Sequence, residues 1–294
     1  SLLKNIVIVG CNVIGTSGGY AGGLAGYISS VDIVNCQVSG TVTSVLHAGG
    51  LVGYDYNTSS TLTDCFADVH VECERNDRVG ALVGSKIKKD GSSGNRYHTT
   101  QSDLNALSTT NLFGYPLTDA DAGATRVYSV ASATSGVTVS TTGAYVPKVD
   151  GKYYFAAGAT ATVTLGDADK VITSLSAASG TISDVNIASD GHSATFTIGS
   201  SDVTVSATLK ALSGTTEDGL TWSLGGTNYT ELTIGGTGPM QNYGYTTGNI
   251  WKTKAPWGTD ITSVTIGDGV TSIGNYAFIG CENVASVTIG SGVT

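Results

Sequence analysis

Three copies of one short phrase constrain this chain more than anything else in it. Gly22-Gly-Leu-Ala-Gly26, Gly49-Gly-Leu-Val-Gly53 and Gly80-Ala-Leu-Val-Gly84 place Leu24, Leu51 and Leu82 at intervals of 27 and 31 residues. A second phrase interleaves with the first. Val9-Gly-Cys11-Asn-Val13, Val34-Asn-Cys36-Gln-Val38 and Thr63-Asp-Cys65-Phe-Ala67 align with their cysteines 25 and 29 residues apart. Each copy has room for about two short strands with apolar residues at alternate positions. Such a unit cannot bury its apolar side alone, so the copies must stack on one another. The three leucines are therefore expected to point inward.

The other end carries a second repeat. Ile261-Thr-Ser-Val264-Thr-Ile266-Gly-Asp-Gly269-Val270-Thr271 returns as Val284-Ala-Ser-Val287-Thr-Ile289-Gly-Ser-Gly292-Val293-Thr294, with a period of 23 residues. Val264 and Ile266 alternate as a short strand requires. Trp222 and Trp257 are expected to cover its first apolar layer from a lead-in cap over residues 213–260. The chain stops where the second copy stops, without a polar closing cap, which predicts a fragment of a longer protein. Between the two repeats, residues 153–155, 159–165, 194–198 and 203–209 alternate apolar and polar around Gly and Asp turns, the pattern of a small all-β domain.

Composition agrees with many strands and tight turns. Glycine is abundant at 41 residues and proline scarce at 4, and Thr, Ser and Val favour strands. Charged residues are only 13%, about half of the usual ~25%. The net charge of −9 and pI of about 4.7 oppose nucleic-acid binding. The one basic group, Lys86, Lys88 and Lys89 with Arg75 and Arg78, reads as a solvated loop. Residues 6–31 lack charge over a length that could span a bilayer. Glycines and hydroxyls interrupt them, however, and their Gly-x-x-x-Gly spacing recurs in polar segments, so no membrane span is expected.

The Gly-Leu-x-Gly phrases with co-spaced cysteines, over residues 5–95, resemble the GLUG repeat of bacterial surface proteins. That resemblance implies an exported β-solenoid-like stack in which the repeat itself is not catalytic. At the other end, Ile273-Gly-Asn-Tyr-Ala277-Phe278-Ile-Gly-Cys281 is similar to the BspA-type leucine-rich repeat, with Val284 at the usual leucine position and no asparagine ladder. Residues 196–209 resemble internalin-type B repeats. The expected organisation is 1–100 GLUG-type repeats, 101–147 a solenoid end or linker, 148–212 the small β domain, and 213–294 the cap with leucine-rich repeats.

Searching the residues for chemistry yields little. The cysteines Cys11, Cys36, Cys65, Cys73 and Cys281 contain no C-x₂-C pair of the kind zinc sites use. Cys11, Cys36 and Cys65 read as a ladder of reduced core thiols, one per coil, with one disulfide or a metal as the alternatives. Gly15-Thr-Ser17-Gly-Gly19 matches a hydrolase string but lacks the helix that follows a nucleophile elbow. His47, His70, His98 and His192 are read as surface residues, with His47 projecting from a turn. Asp119-x-Asp121 and Asp167-x-Asp169 lack the further oxygen ligands of a calcium loop. No catalytic residue, metal or cofactor is assigned. Tyr243, Tyr245 and Trp251 form the aromatic group that would serve binding on an exposed face, and packing beneath the cap is their other reading.

These observations predict a non-catalytic adhesion or binding protein on the extracellular face of a bacterium. It would present repeat surfaces to host or bacterial surface proteins or glycans. Two rivals are an accessory, substrate-binding part of a secreted glycan-active enzyme or peptidase, and a plain stalk.

Overall fold

The computed structural model describes residues 1–16, 18–57, 59–75, 78–85, 92–98, 124–246 and 250–294; for residues 245, 246 and 250–253 it describes the backbone alone. Among the described residues the chain is all-β apart from one 3₁₀ turn at Thr227–Tyr229. Its organising feature is a β-solenoid. No helix there is long and apolar enough to cross a membrane.

Each of the first two coils uses four short strands rather than two: Leu2–Lys4, Val7–Gly15, Tyr20–Gly22 and Ala25–Ile28, then Asp32–Val34, Gln37–Ser44, His47–Gly49 and Val52–Asp55. A third coil follows with Thr61–Thr63, Phe66–Cys73 and Val79–Gly80. Equivalent strands pair in parallel, coil on coil. The Gly-Gly-Leu phrases form a corner. Leu24 N–H donates to Leu51 O at 2.9 Å, and Leu51 N–H to Leu82 O at 2.8 Å. Leu51 and Leu82 are fully buried, and Leu24, with a coil on one side only, packs partly buried against the same core. Glycine is needed at this corner because the coils nearly touch. A Cβ on Gly22 would lie 2.3 Å from Ala25 O and 2.6 Å from Leu51 O, inside any permitted contact.

A second corner explains a difference from the sequence alignment. Asn5, Asn35, Asp64 and Gly94 stack with φ of 60°, 50°, 52° and 69°, the left-handed region that Asn, Asp and Gly tolerate best. Asn35 Nδ2 donates to Asn5 Oδ1 at 2.8 Å, tying two coils together. The residue that follows each turn inward is Ile6, Cys36, Cys65 and Asn95. Cys11 is therefore not the first member of the cysteine ladder; Ile6 is. The cause is a β-bulge between Ile8 and Cys11, where Val9 and Gly10 oppose the single residue Ser39 and shift Cys11 opposite Gly40. Gly10 takes the left-handed conformation (φ 66°) that such a bulge asks for. All five cysteines are free thiols, and burial pushes the Cys65 thiol up to about 11, so it stays protonated and unreactive.

The long sheet of the solenoid does not end at the third coil. Arg96–His98 adds to Phe66–Cys73, and Thr125–Ser132 adds to Arg96–His98, all parallel. Thr125–Ser132 then leads out of the stack. It pairs antiparallel with Tyr153–Ala156 and, through residues 130–132, parallel with Val203–Ala211. Lys170–Ser179 completes this sheet. A second, antiparallel sheet of Val137–Val139, Thr160–Leu165, Ser193–Ile198 and Ile182–Ile187 faces it. Val130, Phe155, Val163, Phe196, Ile198 and Val205 fill the space between.

Toward the C-terminus, Ser263–Ile266 and Ser286–Ile289 pair in parallel at the 23-residue offset of the sequence repeat, and Glu231–Gly235 lies on their other side. Trp222 and Trp257 are buried in that core, as the apolar spacing suggested. Trp257 Nε1–H donates to Ala277 O at 3.2 Å, so the indole is both packed and satisfied.

Candidate functional site: an exposed tyrosine face

Strand alternation in the first two coils sends tyrosines outward. In Ala25–Ile28, Ile28 is buried and Tyr27 faces solvent; in Val52–Asp55, Asp55 is buried and Tyr54 lies beside Tyr27 as its register partner. Tyr56 follows two residues later on the same side as Tyr54, the period of an extended chain. Tyr20 joins from the neighbouring strand, Tyr20–Gly22. The rings meet at centroid distances of 5.1 Å (Tyr20–Tyr54), 5.6 Å (Tyr20–Tyr27), 5.8 Å (Tyr27–Tyr54) and 6.0 Å (Tyr27–Tyr56). Tyr20, Tyr27 and Tyr56 remain 38%, 50% and 57% exposed. A contiguous group of half-exposed aromatic rings on a soluble surface is uncommon without a partner to cover it.

The face rests on a fixed base. His47 is buried behind it, 5.0 Å from Tyr20 and 4.7 Å from Tyr54 by ring centroids, and Arg78 Nη1 approaches His47 Nε2 to 3.2 Å. His47 thus does not project into solvent, contrary to the sequence reading, because the flanking rings close over it. The buried Asp55 carboxylate accepts from Ser60 N–H (3.1 Å) and Ser60 Oγ–H (2.9 Å), pinning the turn that follows Tyr56. The rim is polar and uncharged: Asn57 Nδ2 donates to Ser29 Oγ at 2.8 Å, and Ser30 and Ser59 hydroxyls pair at 2.8 Å. Burial, and next the neighbouring phenols of Tyr56, Tyr54 and Tyr20, hold the Tyr27 hydroxyl above its usual range. All four rings are neutral at physiological pH.

A second constellation lies where the solenoid joins the following sheets. His98 Nδ1 is 2.8 Å from Asp68 Oδ1, and His98 Nε2 is 2.9 Å from Asp202. Asp202 also accepts from Ser129 N–H at 2.8 Å. Tyr154 OH donates to Asp150 at 2.6 Å and stacks on His98 at 5.0 Å. Burial pulls the imidazole toward the neutral form, but the hydrogen bonds from Asp202 and Asp68 outweigh it and raise the pKa to about 9. His98, read from sequence as a surface residue, is buried because two carboxylates compensate its charge. Asp202 is held low; burial opposes this, and the His98 and Ser129 bonds prevail. Both nitrogens of the imidazolium are committed to carboxylates, leaving no lone pair to accept a proton as a general base. Burial and the Asp150 bond push the Tyr154 phenol upward, so it is not a ready nucleophile.

The residues singled out from sequence fall as follows. Tyr243 is buried, in edge-to-face contact with Trp257 at 5.4 Å, and with Lys254, Tyr276 and Ile279 it lines a pocket of about 300 Å³. Tyr245 and Trp251 are cross-strand partners in the hairpin Gly244–Thr246 and Ile250–Thr253, and their side chains lie outside the described residues. Ser17, Lys86, Lys88, Lys89, Asp119 and Asp121 also lie outside them. Asp167 pairs with Lys170 at 2.8 Å and caps the Asp169 N–H, a local turn. His70 is exposed beside Glu72. Among the described residues no three His, Cys, Asp or Glu side chains are placed to hold a metal ion.

Sequence reasoning passed over Tyr20, Tyr27, Tyr54 and Tyr56. A signal was present: Tyr27 and Tyr54 each follow the last glycine of a Gly-Gly-Leu-x-Gly phrase, 27 residues apart like Leu24 and Leu51. No known protein family, curated protein or solved structure matches this chain.

Proposed function

We propose that this protein is a non-catalytic binding protein of the bacterial cell surface, whose solenoid presents an aromatic face to a protein or glycan partner outside the cell. The single observation that carries this reading is the tyrosine face: four mutually packed rings with half of their surface open, set on a rigid repeat and rimmed by neutral hydroxyls and amides. Tyr supplies large contact area at low entropic cost, which is why it recurs in recognition surfaces. Further support comes from the resemblance of residues 5–95 to GLUG repeats. The parallel strands at a 23-residue offset favour BspA-type leucine-rich repeats at the other end. The separate apolar cluster between residues 128 and 209 favours a small β domain in the middle. The committed nitrogens of His98 weigh against a catalytic role for the most buried ionic group. An accessory, substrate-binding part of a glycan-active enzyme would use the same face in the same way.

The test is binding of the chain to arrays of extracellular-matrix proteins and of glycans, beside a Tyr27→Ala/Tyr56→Ala double variant. Retention of the native ligands by the variant would remove the face from the account.

A further inference from the structure

We infer that the tyrosine face takes an uncharged, gluco-configured oligosaccharide lying along the solenoid axis, across Tyr27, Tyr54 and Tyr56; this rests on the binding role proposed above. Three observations narrow the ligand. The first is ring spacing. Centroids 5.1–6.0 Å apart are at aromatic contact distance, so no gap exists among the rings for a quaternary ammonium group. A cation cage is excluded, and the ligand must lie across the rings rather than between them. The second is charge. The rim groups Ser29, Ser30, Asn57 and Ser59 are neutral donors and acceptors, and the nearest carboxylate, Asp55, is fully buried and bonded to Ser60. Nothing on the face would neutralise a sulfated or carboxylated glycan, and the protein's net charge of −9 would repel it. The third is direction. Tyr27 and Tyr54 are parallel register partners on successive coils, about 4.8 Å apart at the backbone, a step close to that of one hexose along an extended glycan.

The chemistry is complementary. A gluco-configured pyranose holds its hydroxyls equatorially, so each ring side presents axial C–H groups. Those weakly positive hydrogens suit the negative face of a phenol ring. Its equatorial hydroxyls then reach the phenol hydroxyls and the Asn57 and serine rim. Tyr27 and Tyr56, tilted 29° to each other and 50% and 57% exposed, keep enough open ring for this stacking.

Titration calorimetry with neutral gluco-oligosaccharides of two to six units tests the inference on the full chain. Affinity should rise with length and hold constant as salt is raised. Tyr27→Ala and Tyr56→Ala should each weaken it on the order of tenfold, with circular dichroism and melting unchanged. Tyr27→Phe should stay within about threefold of native, since the ring remains. Absence of binding by the native chain, equal binding by both alanine variants, or a loss in the phenylalanine variant as large as in alanine would each overturn it. If the neutral sugars fail while a protein ligand from the array is lost on Tyr27→Ala/Tyr56→Ala, the sugar assignment falls and the binding role stands. If no ligand depends on these tyrosines, both fall.

Discussion

Tyr243, Trp257 and Phe278 meet at centroid distances of 5.4 and 5.9 Å, nearly the spacing of Tyr20, Tyr27, Tyr54 and Tyr56 at 5.1–6.0 Å. Solvent separates the two groups. Trp257 and Tyr243 are 1% and 3% exposed, whereas Tyr27 and Tyr56 are 50% and 57% exposed. Ring contacts alone thus do not distinguish packing from presentation. The difference lies in what else the strands bury. Around Trp257, apolar side chains from Leu220 to Ala277 converge on the indole from several strands. In the second and third coils, Ile28, Leu51 and Leu82 already fill the interior, so the alternate positions are left to face out.

Truncating the two groups should therefore have opposite consequences. Trp257→Ala removes a fully buried indole and its hydrogen bond to Ala277, and should destabilise the fold by about 3–5 kcal/mol, read as a lowered urea midpoint. A change below about 1 kcal/mol would mean that the C-terminal group is not the packed core described here.

The bond between the two halves gives the next largest effect. His98 has a pKa of about 9 in the fold against 6.5 for an ordinary histidine. Its stabilisation is complete below pH 6.5 and fades as pH rises through about 9. The full window is worth about 3 kcal/mol. Urea midpoints measured across it should fall in the native chain and stay flatter in His98→Gln, which keeps the ring volume roughly but cannot carry the charge. Equal slopes in both proteins would show that the link between Asp68 and Asp202 contributes nothing.

A smaller effect belongs to the coil corner beneath the tyrosine-bearing strands. Asn35→Ala places a Cβ-bearing residue without a compensating amide at φ 50° and removes the bond to Asn5. It should cost about 1–2 kcal/mol, and Asn35→Gly should recover part of it by removing the backbone strain. Equal losses for alanine and glycine would assign the whole effect to the amide bond. Smallest of all, Tyr56→Ala should shift stability by no more than about 0.5 kcal/mol, measured by thermal melting, while abolishing most ligand binding. A large stability loss there would turn the exposed group into a packing cluster like that around Trp257.

Much of the architecture was legible from spacing. The glycine phrases mark corners where coils touch, the leucines between them stack, and the 23-residue repeat pairs in register. Four strands of the middle region, Tyr153–Ala156, Thr160–Leu165, Ser193–Ile198 and Val203–Ala211, match the alternating runs. Lys170–Ser179 and Ile182–Ile187 were hidden because bulges interrupt their pairing, at Ile172/Ser174 and Ala177/Ser179 in one and Ser183/Asn186 in the other. The Cys11 alignment failed for a similar reason: one inserted residue at Gly10 leaves the letters looking aligned while every later partner moves by one. His98 was opaque because its partner Asp202 lies 104 residues away, and nothing near it in the chain announces a buried ion pair.

What the sequence determined alone is the obligation to stack: periodic leucines and glycines at fixed intervals have no way to leave water except against copies of themselves. What only the tertiary structure decided is which rings are left over. Whether a tyrosine is covered depends on the total apolar volume that reaches it from distant strands, and that sum is made only when the coils and sheets close together.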